Sequence, residues 1–314
     1  MKNPLLPMKR AFLAFSFTSL ITLSSFLLSG ERTLPPSGAF TMSICKTGHG
    51  GEAFSGDLLM NGTKIGYVIA LSRASQHIKA KYFAYKDNGM VVHDRYDNWR
   101  AGKNIVLISS GAYGTTFNGT DKPVGLTMDN GNDVNLNLDP KMDGLIIVEA
   151  VGGIRASNIQ DAHLTYKKNG ADKTVNIKDY YQRNAFLSWC RTEKATTFQT
   201  HLLIYKDQLK FTQSGGNVAE RKLLVLTKDK SGNVFHFIVY SKDYQFTLYD
   251  MAYNTLQMFS TYGYQVIAAA NLDTGGVDVL ATSNELYDCS NAAILGKTND
   301  ARRNMTNMLA YYFE

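Results

Sequence analysis

Cysteine is scarce in this 314-residue chain, and Cys45, Cys190 and Cys289 lie too far apart to form a zinc-ligand pattern. One disulfide could form in an oxidising compartment, with one thiol left over, and the sequence does not say which two cysteines pair. Other signatures are missing too. No H-E-x-x-H, G-x-S-x-G or Cys–His arrangement stands out, which removes the common metalloprotease, serine-hydrolase and thiol-enzyme readings. The glycine-rich stretch 109–125 lacks the terminal G-K-[ST] of a phosphate loop, and no dinucleotide fingerprint appears. Beyond the N-terminal segment no apolar run is long enough to span a membrane. A strong basic excess is absent as well. The net charge of +6 includes Lys2, Lys9 and Arg10, and without those three about +3 remains, which is no nucleic-acid footprint.

The N-terminus is what stands out first. Lys2, Lys9 and Arg10 precede the apolar stretch AFLAFSFTSLITLSSFLL, followed by the small residues Ser29 and Gly30 and a proline-containing segment. This pattern predicts a signal peptide over residues 1–30, cleaved between about 28 and 38, and hence a periplasmic or extracellular protein. An uncleaved N-terminal membrane anchor is the alternative. Residues 31–55 read as an exported linker or N-terminal extension, and 56–314 as a single domain.

That domain is strand-rich. The segments 66–71, 77–85, 104–110, 144–150, 198–205, 221–229, 234–241 and 264–270 are short and rich in β-branched or aromatic residues. Turn signals punctuate them: DNG at 87–89 and 129–131, KNG at 168–170 and KSGN at 230–233, the last predicting a hairpin. Two helices are expected. One covers 179–190, with Tyr180, Ala185, Leu187 and Trp189 on its apolar side. The other starts at a Thr247–Asp250 capping box and ends before Gly263. The expected class is α+β, strand-rich with a few packed helices and no regular βαβ repetition.

The chemistry concentrates in NLDTGGVD (271–278), at the end of a buried-looking strand. A strand end can aim Asp273 rigidly. Gly275 and Gly276 permit positive φ and the approach of backbone amides to a substrate oxygen. A plain turn, with Asn271 and Asp273 capping their own backbone, is the competing reading. Asp278 with Asp273 is the candidate pair for a cation, calcium being the class such oxygens would take. SSGAYG (109–114) is a second strand-end loop, where Gly111 gives close approach and Tyr113 could stack on a sugar or simply pack. Arg221 opens a strong strand and offers a fork for phosphate or carboxylate, against a surface ion pair with Glu220 or Asp229. Gln199 and His201 share one strand face, within reach of one ligand. His163 and His236 read as packing residues. Arg155 is a further phosphate partner, and Asp129 and Glu149 join Asp278 as candidates for a second carboxylate.

In order along the chain, these motifs resemble those of the phosphodiester glycosidase family, which has lysosomal members and bacterial members linked to exopolysaccharide. ISSGAYG stands where that family has N-G-G-[YF]-F, and GTDKPVGLTMDNG (119–131) resembles its G-x-P-x-G stretch. FQTHLLIYKDQL, RKLLVLTKDKSGNVFHFIV and TLYDMAYNTL follow, and AAANLDTGGVD is similar to the family's A-[LIV]-N-L-D-G-G-G-S. The resemblance spans roughly 60–285 and implies a phosphodiester-glycosidase-like domain. Asn271, Asp273, Gly275 and Gly276 would line a cleft with Arg221, facing the SSGAYG loop. The chain departs from the pattern at Ser110 and Ala112, where the family has Asn and Gly, at Thr274 in place of Gly, and at Val277 in place of a small hydroxyl residue.

The expectation that follows is a secreted hydrolase cleaving a glycosidic bond next to a phosphodiester in a cell-surface or extracellular glycan. Asp273 and Arg221 would be catalytic, with Asn271, Gly275, Gly276, Gly111, Tyr113, Gln199 and His201 binding substrate. Calcium is the one cofactor this reading leaves open, and no nucleic-acid partner is expected. The altered loops point to the alternative, a catalytically inactive relative that binds a glycan or surface polymer. A structural or partner-binding envelope protein is a third expectation.

Overall fold

The computed structural model describes residues 39–84, 91–114, 122–161, 163–211, 216–275, 278–297 and 305–314. The expected signal peptide, the DNG turn at 87–89, Gly276 and Val277 lie outside the described residues. Nineteen strands are described. The first seven are β1 (Phe40–Gly48), β2 (Ala53–Met60), β3 (Thr63–Ser72), β4 (Ile78–Phe83), β5 (Asn104–Ser110), β6 (Thr127–Asp129) and β7 (Asn132–Asn135). They are followed by β8 (Gly144–Val148), β9 (Ile154–Asn158), β10 (His163–Lys168), β11 (Ala171–Asn176), β12 (Thr196–Thr200), β13 (Leu202–Tyr205) and β14 (Gln208–Leu209). The last are β15 (Lys222–Lys228), β16 (Val234–Tyr240), β17 (Gln265–Leu272), β18 (Leu280–Thr282) and β19 (Met308–Phe313). Three helices join them: α1 (Val92–Arg100), α2 (Tyr180–Thr192) and α3 (Leu248–Thr261).

Eight strands form one antiparallel sheet in the order β1-β2-β3-β16-β15-β17-β13-β14, five form a second as β7-β6-β12-β8-β9, and four a third as β18-β5-β19-β4. Strand alternation explains how the layers meet. In β15, Leu224 and Leu226 join a central core with Phe198 of β12 and Tyr82 of β4, so the three sheets share one interior. Leu223 and Val225 face the other way and pack with Met251, Ala252 and Phe259 of α3. The alanines of β17 divide likewise, Ala268 and Ala270 inward and Ala269 toward α3. Helix α2 covers the five-stranded sheet through Phe186, Leu187, Trp189 and Cys190, and α1 covers the third sheet through Val92 and Tyr96.

Local signals account for several element ends. Thr247 caps α3, its Oγ1 accepting the Asp250 N–H at 3.0 Å and donating to the Asp250 carboxylate at 2.7 Å. Asp179 caps α2 by accepting the Gln182 N–H. Asn130–Gly131 and Asn169–Gly170 both have positive φ and turn the β6–β7 and β10–β11 hairpins. The KSGN hairpin joins β15 to β16, with Asp229 accepting the Ser231 and Asn233 N–H groups.

Four expectations change. Within the stretch 31–55, Phe40–Gly48 is a sheet strand and Ala53 begins the next, because β1 pairs with β2 almost residue for residue. The strand expected over 198–205 breaks at His201, where the chain leaves the five-stranded sheet and enters the eight-stranded one. In α2, Tyr180 and Tyr181 are exposed, and Phe186 and Cys190 take the buried positions. Helix α1 was not anticipated. Its sequence is polar, and it is held by side-chain pairs one turn apart, His93–Asp97 at 3.0 Å and Arg100–Asp97 at 2.7 Å.

Cys45 and Cys289 form a disulfide across a sequence separation of 244, and Cys190 is the free, buried thiol. The bond ties β1 to the loop after β18, beside Lys64, which bridges Asp57 at 2.9 Å and Asp288 at 2.5 Å. Among the described residues no helix is long and apolar enough to cross a membrane. Replacing Cys45 and Cys289 with serine is expected to lower the unfolding free energy by about 2–5 kcal/mol. Urea unfolding of that variant should match unfolding of the reduced wild type. Equal midpoints for oxidised and reduced wild type would contradict this.

Candidate functional site

The expected residues Arg221, Asn271, Asp273, Tyr113 and His201 come together where β15 begins and β17 ends. Their placement starts with a residue that sequence reasoning passed over. Lys222 shares the inward face of β15 with Leu224 and Leu226, so alternation drives its ammonium into the protein, and it is fully buried. Its Nζ donates to Ser110 Oγ at 2.7 Å, Asp278 Oδ1 at 3.0 Å and the Val279 carbonyl at 2.8 Å. The Tyr240 hydroxyl donates to the other Asp278 oxygen. Burial pulls the Lys222 pKa down, opposed by Asp278. Ser110 passes the tether on, donating to the Asp273 carbonyl at 2.5 Å, while the Asp273 N–H donates to Gly111 O at 2.8 Å. The loop carrying Asp273 therefore hangs from the end of β5. The signal for Lys222 was in the sequence, as a lysine in phase with two core leucines.

Asp273 lies mostly buried, and burial pushes its carboxyl above the ordinary value of 3.8. The Gly275 N–H donates to its Oδ1 at 2.9 Å, and the Gly114 amide and Lys222 charge also favour the ionised form without overcoming burial. Gly275 serves through this N–H, and its φ is not in the left-handed region expected for it. Gly111 is required for close approach. A Cβ there would sit 2.2 Å from Asn307 Oδ1 and 2.5 Å from the Tyr82 ring.

Tyr113 sits between opposite charges. Desolvation raises its hydroxyl to about 12, Arg221 acts to lower it and Asp273 to raise it. The hydroxyl also accepts from Asn271 Nδ2, and the ring meets His201 edge-on at 5.6 Å. Asn271 is buried, and its Oδ1 has no donor among the described residues. The His201 carbonyl accepts the Asn271 N–H, and burial lowers the His201 pKa, keeping the ring neutral near pH 7.

Arg221 is 9% exposed. Its Nε donates to the Phe246 carbonyl at 2.9 Å and one terminal nitrogen to the Asn217 carbonyl at 2.5 Å. The surface pair weighed for it does not form. Glu220 pairs with Lys297, and Asp229 caps its own hairpin. No carboxylate pairs with Arg221 among the described residues.

Other expectations are redistributed. Gln199 is fully buried and spends its amide on the main chain, accepting from the Leu126 and Asp139 N–H groups and donating to the Asp139 and Met142 carbonyls. It is a bracket for the 138–143 segment and presents no free group to the cleft. Asp278 is no cation ligand, since Lys222 and Tyr240 take its two oxygens. No group of three or more His, Cys, Asp or Glu side chains is gathered as metal ligands among the described residues. Asp129 pairs with Arg95 at 2.7 Å and Glu149 with Arg155 at 2.6 Å, so neither converges on Asp273 as a free acid. His236 is a packing residue held at a pKa of about 3 by burial, with Nδ1 3.1 Å from the Tyr311 hydroxyl. His163 is exposed at the start of β10. Thr274, where the resembled family has glycine, donates to the Glu220 carbonyl at 2.6 Å and pins the far side of the loop.

Two outcomes are expected. Lys222→Met leaves Asp278 buried without its cation and should cost about 3–5 kcal/mol in urea unfolding, with the Lys222→Met/Asp278→Asn pair costing less than the single change. A double variant no better than the single would sink this account of the pair. For Asp273, the folded chain holds the proton more tightly than the unfolded one. That contribution is fully present below pH 3.8 and is lost as pH rises through the raised value. Asp273→Asn should therefore gain stability relative to wild type as pH rises from acid to neutral, which thermal melts across that range measure. A growing deficit for the variant with rising pH would contradict it.

No protein-family model matches the chain, and no curated protein sequence matches it. Solved structures to which it is similar include the catalytic domain of zebrafish N-acetylglucosamine-1-phosphodiester alpha-N-acetylglucosaminidase, auto-inhibited by pro-peptide. The identity is 13% and the TM-score 0.43, over 91% of this chain and 86% of that one. A hypothetical protein from Synechocystis is similar at 12% identity and a TM-score of 0.39, over 90% of this chain and 64% of that one.

Proposed function

We propose that this protein is a hydrolase that cleaves the bond between a sugar's anomeric carbon and the oxygen of an attached phosphodiester, in an exported glycan. The observation that carries this reading is the pair of groups around Tyr113. Arg221 is a nearly buried cation without a carboxylate partner among the described residues, and Asp273 is a partly buried carboxyl of raised pKa. A desolvated, unpaired guanidinium suits an anionic ligand, and its fork fits two phosphate oxygens. A carboxylate of raised basicity suits proton abstraction. The order of sequence motifs supports the same reaction class.

In this reading Arg221 holds the phosphate, and the unpartnered Asn271 Oδ1 accepts a sugar hydroxyl. Water bonds to the anomeric carbon through its oxygen and gives its proton to Asp273. The carbon–oxygen bond to phosphate breaks, its electron pair staying on the phosphate oxygen. The products are a reducing sugar and a phosphomonoester. Because the leaving group carries negative charge well, holding that charge matters more than protonating it. The Cys45–Cys289 disulfide supports a periplasmic or extracellular location.

A second reading has its own support. Ser110 and Thr274, which replace residues of the resembled pattern, are spent on holding the loop, and Asp278, Asp129 and Glu149 are all ion-paired. A site with one free acid is also what a glycan-binding relative would have. Sugar release from a panel of sugar-1-phosphodiesters separates the two. Wild type should release sugar from at least one member, with kcat/KM rising with pH as Asp273 ionises, and Asp273→Asn should lose at least about a hundredfold. Release that ignores the substitution would remove Asp273 from the reaction. Binding without release would favour the second reading.

A further inference from the structure

A cavity of about 390 Å³ adjoins the site, and His201 lines it while also touching Tyr113. The volume falls within the range of small-ligand pockets. One wall is the 138–143 segment, fixed by three main-chain hydrogen bonds of the buried Gln199 amide, two to Asp139 and one to Met142. A segment held by a fully buried side chain is in place before any ligand arrives.

The lining is amphipathic. Met142, Ile159 and Phe211 give it apolar surface, and Lys141, Lys178 and Lys210 reach it from three separate segments. Lys178 is tied to the Gln160 carbonyl at 2.8 Å, whereas the Lys141 and Lys210 ammonium groups form no ion pair among the described residues. Asp139 and Asp143 complete the polar set. Each gives one oxygen to a main-chain N–H, of Lys141 at 2.7 Å and of Leu202 at 3.0 Å. Their second oxygens suit ligand hydroxyl groups. Apolar surface suits the C–H face of a sugar ring, carboxylates suit its hydroxyls, and two unpaired ammoniums suit a phosphate.

We infer that this cavity is a second subsite that binds a phosphorylated sugar unit, so the substrate extends past His201 as at least two sugar-phosphate units in series. The inference rests on the proposed hydrolase reading for what lies on the Asp273 side, but the cavity's ligand chemistry is tested separately. Lys141 is exposed and Lys210 half-exposed, so replacing both leaves the core intact. The probes are glucose, galactose and N-acetylglucosamine 6-phosphates, with the unphosphorylated sugars and inorganic phosphate beside them. Titration calorimetry at low salt would use the whole protein as wild type, Lys141→Ala/Lys210→Ala and Arg221→Met.

At least one sugar phosphate should bind wild type and Arg221→Met alike, and bind the double-lysine variant about tenfold more weakly or worse. It should also outbind both its unphosphorylated sugar and inorganic phosphate. Binding that survives the lysine changes, disappears with Arg221→Met, or is matched by inorganic phosphate would overturn the assignment, as would no binding by any sugar phosphate. Intact sugar-phosphate binding in a protein that releases no sugar would retain the subsite and reject only the hydrolase reading.

Discussion

A lysine and an aspartate that meet inside the protein, far from water, set the conditions for everything around the cleft. Removing both charges from solvent costs several kcal/mol per ion, and the pair persists because every neighbouring polar atom is spoken for. Lys222 uses three donors on Ser110, Asp278 and the Val279 carbonyl, and Tyr240 closes the remaining side of the carboxylate. The arrangement joins the end of β5, the start of β15 and the segment before β18. Asp273 is suspended from that junction by Ser110 and Gly111, so the position of the candidate catalytic carboxylate follows from the burial of a different charge.

The same logic separates residues that face a ligand from residues that build the place for one. Gln199 and Asp278 have every strong hydrogen-bonding position filled by protein. Asn271, Arg221 and Asp273 retain an acceptor, a cation and a carboxyl whose needs the described protein leaves partly unmet. Buried polar groups are normally satisfied, so three unmet needs around one tyrosine mark where the fold gives up stability to keep a surface reactive.

Much of this was legible in the sequence. Short runs rich in β-branched, aromatic or small apolar residues marked β15, β16 and β17, Thr247 and Asp250 marked the start of α3, and the Asn-Gly pairs marked two hairpins. Those signals are local, and the residues that emit them also form the structure. What escaped was non-local. The five-residue β12 and four-residue β13 read as one strand because nothing in the composition of His201 announces a change of sheet. The fate of Gln199 depended on a main-chain segment some sixty residues away in sequence, with the Asp139 bond spanning |i−j| = 60. Lys222 was passed over because lysine is usually at the surface, although its phase with Leu224 and Leu226 pointed inward. The polar α1 has only three buried positions, Val92, His93 and Tyr96, to betray it.

Cys190 carries a consequence for how the chain reaches this structure. Folded, its sulfur is fully enclosed beneath α2, and desolvation holds the thiol well above its ordinary pKa, so almost no thiolate exists to attack a disulfide. Before α2 docks, the three sulfurs compete on equal terms, and the correct partners are the most distant in sequence. Oxidation that outpaces local folding would therefore trap Cys190 in one of two wrong rings. The packing of α2 through Phe186 and Trp189 on Tyr166 of β10 joins residues close in sequence, and closing a short loop costs less entropy than closing the long Cys45–Cys289 ring. Enclosing one sulfur thus leaves only the other two in reach of an oxidant.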